Sequence, residues 1–144
     1  MSRQAILLVL AACAALSVAI TEEEMHAIIH GLATQCEEVY PITEEDAELL
    51  HKHEAPKSPN GVCFLTCMFE KLGIMENGAF NAAHAKAIVQ KYTAEQPDIQ
   101  SKMGELLDIC EGEVGSGDEK CGAGMEVFTC FKNHAERLGF MPDA

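Results

Sequence analysis

The sequence lacks tryptophan, any excess of positive charge, and long apolar runs beyond its first twenty residues. Its 10 Lys and Arg stand against 23 Asp and Glu, which gives a formal net charge of −13. Phosphate backbones and anionic lipids attract basic surfaces, so this balance argues against nucleic acid and anionic membranes as partners. A second apolar run of about 18 residues is missing, and no membrane insertion is predicted.

Motifs that carry catalysis are also missing. The chain contains no G-x-S-x-G, no glycine-rich phosphate loop and no C-x-x-C redox pair. Its acidic residues are plentiful but do not have the spacing of a calcium loop. We therefore predict that the protein is not an enzyme and uses no metal or cofactor.

The first residues are typical of a secretory signal peptide. Arg3 gives a basic start, AILLVLAACAALSVAI is apolar, and Ser17 and Ala19 occupy the −3 and −1 positions of a cleavage site. The alternative, a membrane anchor, is disfavoured because the run is short. We predict a signal peptide over 1–19 and one helical domain over 20–144. Loss of Arg3, the one charge of the signal, would change the net charge from −13 to −14.

Cleavage would also remove Cys13 and leave an even number of cysteines. In a small secreted chain, such a set is typical of a disulfide framework. A structural zinc site is the weaker interpretation, because zinc sites usually show two close ligand pairs and only one pair here is close. The six remaining cysteines are Cys36, Cys63, Cys67, Cys110, Cys121 and Cys130.

Capping residues, prolines and glycines divide the rest of the chain into short helices. The alternation expected of strands is not evident, and Asn77-Gly78 indicates a turn. The sequence therefore predicts an all-α fold. The six predicted helices run from Thr21 to before Pro41, from Glu44 to about His53, within 61–73 up to Gly73, from Asn81 to Tyr92, from Pro97 to about Glu111, and from Asp118 to Leu138.

The third helix carries two cysteines one turn apart, Cys63 and Cys67. Residues at i and i+4 have Cβ atoms about 5–6 Å apart, whereas a disulfide needs about 3.8 Å. Of the fifteen possible pairings of six cysteines, the twelve without this bond remain. In all of them the third helix is tied to two other segments.

The full spacing is C-x26-C-x3-C-x42-C-x10-C-x8-C. This pattern, in a small acidic helical chain with a signal peptide, resembles the insect odorant-binding protein family of pheromone-binding and general odorant-binding members. The x3 and x8 intervals carry the resemblance most strongly. The resemblance implies the disulfides Cys36–Cys67, Cys63–Cys121 and Cys110–Cys130.

The resemblance also implies six helices around an apolar cavity and a role in carrying small hydrophobic ligands such as odorants or pheromones. Sensillar lymph or another body fluid would be the place of action, and a membrane odorant receptor would be an indirect partner. The chain would act as a monomer or homodimer. The alternative is a secreted interaction protein, such as a hormone, toxin or immune effector, with a solid core.

Helix faces suggest which residues line such a cavity. The set is rich in Met and Phe, whose flexible or flat side chains suit a pocket that accepts several apolar shapes. Taken singly, each residue is also a normal core residue. The candidate ligand-binding residues are Phe64, Leu65, Met68, Leu72, Phe80, His84, Ile88, Met103, Leu106, Met125, Phe128, Phe131 and Phe140.

The sequence also allows specific predictions for three histidines and for the C-terminal residues. His84 is the polar member of an apolar stripe, and it either orients the polar end of a ligand or bonds a backbone carbonyl. His26 and His30 have zinc spacing but lack the Glu of H-E-x-x-H, so a solvated surface pair is favoured. Phe140 and Met141 are candidates for a lid that folds back over the pocket.

Overall fold

The computed structural model describes residues 3–4, 21–115 and 121–139. From residue 21 onward, the described chain forms six helices and one two-stranded hairpin, which confirms the predicted all-α class. The predicted signal peptide apart from residues 3–4, the helix start at Asp118, and Phe140 and Met141 lie outside the described residues. The elements are α1 (Glu22–Val39), α2 (Glu44–His51), α3 (Pro59–Lys71), β1 (Met75–Glu76), β2 (Ala79–Phe80), α4 (Ala82–Tyr92), α5 (Pro97–Glu113) and α6 (Gly122–Leu138).

Polar side chains begin four of the helices. Each accepts a hydrogen bond from the backbone N–H three residues further on, which satisfies one of the donors left unpaired at a helix start. The prediction missed the cap at Ser58, so α3 begins two residues earlier than expected, with Pro59 in its first turn. The four caps are Thr21, Thr43, Ser58 and Asn81.

The predicted end of α2 at His53 is wrong by two residues. His53 has a φ of 59°, in the left-handed region, and therefore cannot continue the helix. The N–H groups of His53 and Glu54 instead bond back to the carbonyls of Leu50 (3.1 Å) and Leu49 (2.7 Å). This is the Schellman arrangement, which usually has glycine at the left-handed position.

The hairpin corrects the expectation that no strand is present. Met75 pairs with Phe80 and Glu76 pairs with Ala79, in antiparallel register. Asn77 and Gly78 connect the strands with φ of 52° and 78°, as a tight hairpin turn requires. Two-residue strands are too short to show alternation, which is why the sequence indicated only the turn.

Three disulfides join the helices, and they are the pairs that the family resemblance implies. Cys36–Cys67 joins α1 to α3, and Cys110–Cys130 joins α5 to α6. Cys63–Cys121 joins α3 to the residue before α6. The Cα–Cα distances are 5.9, 5.8 and 5.0 Å respectively, within the usual range of disulfides. As expected, α3 is tied to two other segments.

Close backbone packing reinforces the link between α3 and α6. The hydroxyl of Thr66 donates a hydrogen bond of 2.7 Å to the carbonyl oxygen of Cys121. Gly124 faces the same residue, and a Cβ added there would lie 2.9 Å from the Thr66 Cα. The two helices therefore approach closely only because position 124 has no side chain.

The buried carboxylate of Asp46 ties α2 to the start of α3. It is 1% exposed and accepts hydrogen bonds from the Lys57 N–H (2.8 Å), the Ser58 N–H (3.3 Å) and the Ser58 hydroxyl. These bonds, led by that of the Ser58 hydroxyl, lower the pKa of Asp46 below its ordinary value. A buried charge with three donors is a stabilising arrangement at neutral pH.

Candidate functional site

A cavity of about 370 Å³ lies among α4, α5 and α6. Ile74, which precedes β1, and His53, which follows α2, complete its wall. Ten of its twelve lining residues are hydrophobic, and the two polar ones are basic types. The lining consists of His53, Ile74, Ala85, Ile88, Val89, Met103, Leu106, Leu107, Phe128, Phe131, Lys132 and Ala135.

The helical repeat explains which side chains reach the cavity. Residues at i, i+3, i+4 and i+7 share one face of a helix, and each of the three helices turns such a face inward. The three sets are Ala85, Ile88 and Val89 on α4, Met103, Leu106 and Leu107 on α5, and Phe128, Phe131, Lys132 and Ala135 on α6.

Phe131 joins the cavity wall to the solid core. Its ring meets Phe69 at 6.1 Å and Phe80 at 5.9 Å between centroids, both edge-to-face. It packs against the buried cluster around Val127 and the one around Cys110 and Cys130. The wall on this side is therefore held by packed rings and by a disulfide.

Five of the predicted ligand-binding residues line the cavity. All five lie on α4, α5 or α6, where the apolar stripe was identified from helical spacing alone. They are Ile88, Met103, Leu106, Phe128 and Phe131.

The predicted contribution of α3 is not found in the lining. Phe64 and Leu65 are buried and Met68 and Leu72 are half-buried, but none of them lines the cavity. The physical reason is the position of α3, which packs against α1 and α6 and is bonded to both sides by disulfides. Its apolar face therefore builds solid core.

Phe80 and Met125 also lie elsewhere. Phe80 belongs to β2, and its ring packs edge-to-face against Phe131 outside the cavity lining. Met125 lines a second, shallower depression formed with the end of α5. The remaining candidate, Phe140, lies outside the described residues.

His84 does not line the cavity. Its side chain is exposed, and its Nδ1–H donates a hydrogen bond of 2.7 Å to the carbonyl oxygen of Gly73. This is the backbone-carbonyl alternative that the sequence left open. Because Gly73 has a φ of 77° just after α3, the bond fastens α4 to the chain reversal between the two helices.

Seven lining residues were absent from the predicted set. Four of them, Ala85, Val89, Leu107 and Ala135, share helix faces with predicted members and follow from the same spacing. The apolar residues identified on α6 did not include Lys132, although it lies four residues after Phe128. Only tertiary structure brings His53 and Ile74 to the site. The missed residues are His53, Ile74, Ala85, Val89, Leu107, Lys132 and Ala135.

Other histidines have surface roles. His26 and His30 are exposed, as expected of a solvated pair, and His26 lies 3.9 Å from Glu22. His134 forms an ion pair of 2.9 Å with Glu113 at the end of α5. The Cys130 sulfur lies near this pair, but it is bonded to Cys110. Only two ligands remain there, fewer than metal sites normally use.

Within the described residues, no helix combines the length and the apolar character needed to cross a membrane.

Six helices, three disulfides and an apolar cavity define a helical protein that binds small hydrophobic molecules. A family model described as the PBP/GOBP family matches residues 18–134 of this chain. The chain therefore belongs to this family of insect odorant-binding proteins, and the resemblance seen in the cysteine spacing is confirmed. Its general role is that of a small-ligand carrier.

Individual relatives agree with this membership. General odorant-binding protein 19d of Drosophila melanogaster is 27% identical over 109 residues, which cover 75% of this chain and 72% of that protein. The solved structure of odorant-binding protein dmelOBP28a from the same fly has a TM-score of 0.71 at 24% identity, covering 84% of this chain and all of that one. Fatty acid binding protein OBP56a, from the oral disk of the blowfly Phormia regina, has a TM-score of 0.62 at 27% identity, covering 83% and 98%.

Proposed function

We propose that the protein is a secreted carrier that binds and solubilises odorants, pheromones or similar semiochemicals in an extracellular fluid such as sensillar lymph. The observation that supports this most is the apolar cavity of about 370 Å³ among α4, α5 and α6. Its volume falls in the range of about 300–1,000 Å³ that is typical of small-molecule sites.

Binding is driven by removal of apolar ligand surface from water, at about 25 cal/mol per Å². Ile88, Met103, Leu106, Phe128 and Phe131 are the proposed ligand contacts. Met103 is the adaptable one, since its unbranched thioether fits irregular shapes. The relative named as a fatty acid binding protein supports including lipid-like molecules in the ligand class.

Three finer features belong to the proposal. Residues 1–19 direct secretion, and Phe140 with Met141 covers the ligand as a lid. The carrier works as a monomer or homodimer and meets an odorant receptor only through the ligand it delivers. Deletion of residues 140–144 tests the lid directly, because unchanged ligand affinity after the deletion would contradict it.

Uptake of an apolar fluorescent dye, followed by displacement with candidate odorants, tests the carrier function. The chain has no Trp, so dye emission can be followed without tryptophan fluorescence. We expect dye binding at micromolar protein and displacement by several apolar compounds. Absence of dye uptake would contradict the carrier and favour an interaction protein that acts through its surface.

A further inference from the structure

The first helix carries an apolar face that the protein does not bury. Four residues, Met25, Ile28, Ile29 and Leu32, form what we call the α1 stripe, and Cys36 continues it at the same helical spacing. Cys36 is the one buried residue of α1. In the α1 stripe, Met25 and Leu32 are half-buried, and Ile28 and Ile29 are 44% and 39% exposed. The apolar face therefore begins in the core and continues into solvent.

Exposed apolar side chains are concentrated on α1. Among the described residues, five large hydrophobic side chains are exposed, and three of them lie on this helix. Single exposed apolar residues are normal, whereas neighbouring ones mark contact surfaces. A Cβ built at Gly31, beside the α1 stripe, would meet nothing within 4 Å. This part of α1 is therefore accessible to another molecule.

The polar surroundings of the α1 stripe are acidic. Glu22 lies three residues before Met25 and Glu24 lies four residues before Ile28, so both carboxylates stand beside the stripe. All five Glu of α1 are exposed, and the helix contains no Lys or Arg. Among the described residues, Glu24 has no basic partner within 4.0 Å, and Glu22 is 3.9 Å from the exposed His26.

Charge distinguishes the molecules that could cover this surface. A second copy would bring the same carboxylates and a formal net charge of −13, so like charges would oppose each other. A stable dimer also needs about 20–30 residues on each side, and the α1 stripe has four. The C-terminal segment 140–144 of this chain contains one Asp and no Lys or Arg. Only a basic partner complements the carboxylates beside the stripe.

We propose that the α1 stripe is a docking site for a basic amphipathic helix of another protein. Apolar side chains at helical spacing on the partner cover Ile28 and Ile29, which is a common mode of helix recognition. Lys or Arg side chains beside them pair with Glu22 and Glu24. Exposed ion pairs contribute little each, so apolar contacts supply most of the affinity and the charges select the partner. No residue of α1 lines the cavity, so this site adds an interaction to the proposed carrier function.

Binding of a fluorescein-labelled peptide tests the site by fluorescence anisotropy at physiological salt. The peptide consists of Leu and Lys in an amphipathic helical pattern and has about 15 residues, the length at which isolated helices become stable. The comparison peptide has Glu in place of every Lys. We expect the Lys peptide to bind at micromolar protein, and the Glu peptide to bind at least about tenfold more weakly. No binding of the Lys peptide, or equal binding of the two peptides, would overturn the proposal.

Two matched pairs of variants locate the bound peptide. Ile28→Gln removes an apolar side chain of the α1 stripe, and Ile99→Gln removes one of similar exposure, 40%, on α5. Glu24→Gln and Glu105→Gln each remove one exposed carboxylate and change the net charge equally. We expect Ile28→Gln to weaken the Lys peptide about three- to tenfold and Glu24→Gln about twofold, and both controls to bind it unchanged. Equal effects within either pair would overturn the proposal.

Analytical ultracentrifugation tests a second copy as the alternative occupant. We expect the unaltered protein and Ile28→Gln to have the same mass. Dimers of the unaltered protein that are lost in Ile28→Gln would overturn the proposal in favour of a second copy. Dye uptake by the cavity should be the same in both proteins, so failure of peptide binding with normal dye uptake refutes this inference alone and leaves the carrier function intact.

Discussion

The Nδ1–H of His84 donates a hydrogen bond of 2.7 Å to the carbonyl oxygen of Gly73. The bond connects α4 to the residue where the chain leaves α3, and the His84 side chain does not line the cavity. His84 is in this way a structural histidine beside the cavity, and its substitution should affect stability more than selectivity.

His84→Ala is expected to lower the free energy of unfolding by about 0.5–1.5 kcal/mol, the usual net value of one hydrogen bond. Affinities for an alcohol and its matching alkane should change by the same factor. Urea unfolding and dye displacement measure the two effects, with the exposed His30→Ala as control. A selective loss of alcohol affinity would restore a ligand-orienting role for His84.

Gly73→Ala is expected to destabilise the protein for two separable reasons. The left-handed φ of 77° disfavours a side chain by about 1–2 kcal/mol. The new Cβ would also lie 2.5 Å from the His84 Nδ1, so close that the imidazole would have to shift and its bond to Gly73 would be disturbed. A His84→Ala background removes the contact with the ring and leaves the left-handed φ and a 3.3 Å approach to the Ile88 Cδ1, so the effect of Gly73→Ala should be smaller. Strictly additive effects in the double variant would contradict the contact.

Asp46→Asn is expected to lower stability at pH 7 by about 1–3 kcal/mol, since a buried charge with three donors is lost. The folded-state pKa of Asp46 lies below 3.8 because the Ser58 hydroxyl and the Lys57 N–H stabilise the carboxylate. The carboxylate's contribution to the free energy of unfolding is therefore complete above its ordinary pKa of 3.8. It disappears as the pH falls from 3.8 towards the lower pKa of the folded state.

Urea unfolding at pH 7 and pH 3 measures this difference. The difference in the free energy of unfolding between the unaltered protein and Asp46→Asn should be smaller at the lower pH. Glu45→Gln is the matched control, because Glu45 pairs with Lys57 at an exposed site and its loss should matter little. An equal difference at both pH values would show that the charged Asp46 carboxylate is not the cause of the stability difference.

His53→Gly is expected to raise the free energy of unfolding by about 0.5–1 kcal/mol, because glycine adopts the left-handed conformation without strain. Asn77→Gly is the comparison. Asparagine tolerates a positive φ, so its replacement by glycine should raise the free energy of unfolding by less. Thermal melts followed by circular dichroism compare the two. A lower melting temperature for His53→Gly would mean that the imidazole contributes contacts that outweigh the strain.

The sequence was sufficient for the helical class and for five of the twelve cavity-lining residues, all of them on α4, α5 or α6. Helical spacing selects one face of each helix, and Ile88, Met103 and Phe128 follow from it. The same reasoning failed on α3, because Phe64 and Leu65 lie on an equally apolar face. The positions of the helices decide which apolar faces line a cavity and which pack against each other. The spacing of apolar residues along one helix does not contain this information.

Charged and non-local contributors were missed for different reasons. Lys132 shares the lining face of α6 but does not belong to an apolar stripe, although a lysine stem covers apolar surface well. His53 reaches the cavity only through the chain reversal that follows α2. The hairpin at residues 75–80 was missed because two-residue strands leave no periodic signal.

Dye binding by two matched variants tests the central claim that the cavity among α4, α5 and α6 holds the ligand. Met103 and Met68 are both half-buried methionines on helices, and only Met103 lines the cavity. The indole of Met103→Trp should occupy ligand space and weaken dye binding at least about tenfold, while Met68→Trp should bind the dye as the unaltered protein does. Equal dye affinity of Met103→Trp and the unaltered protein, with both variants folded by circular dichroism, would place the ligand elsewhere and contradict the account.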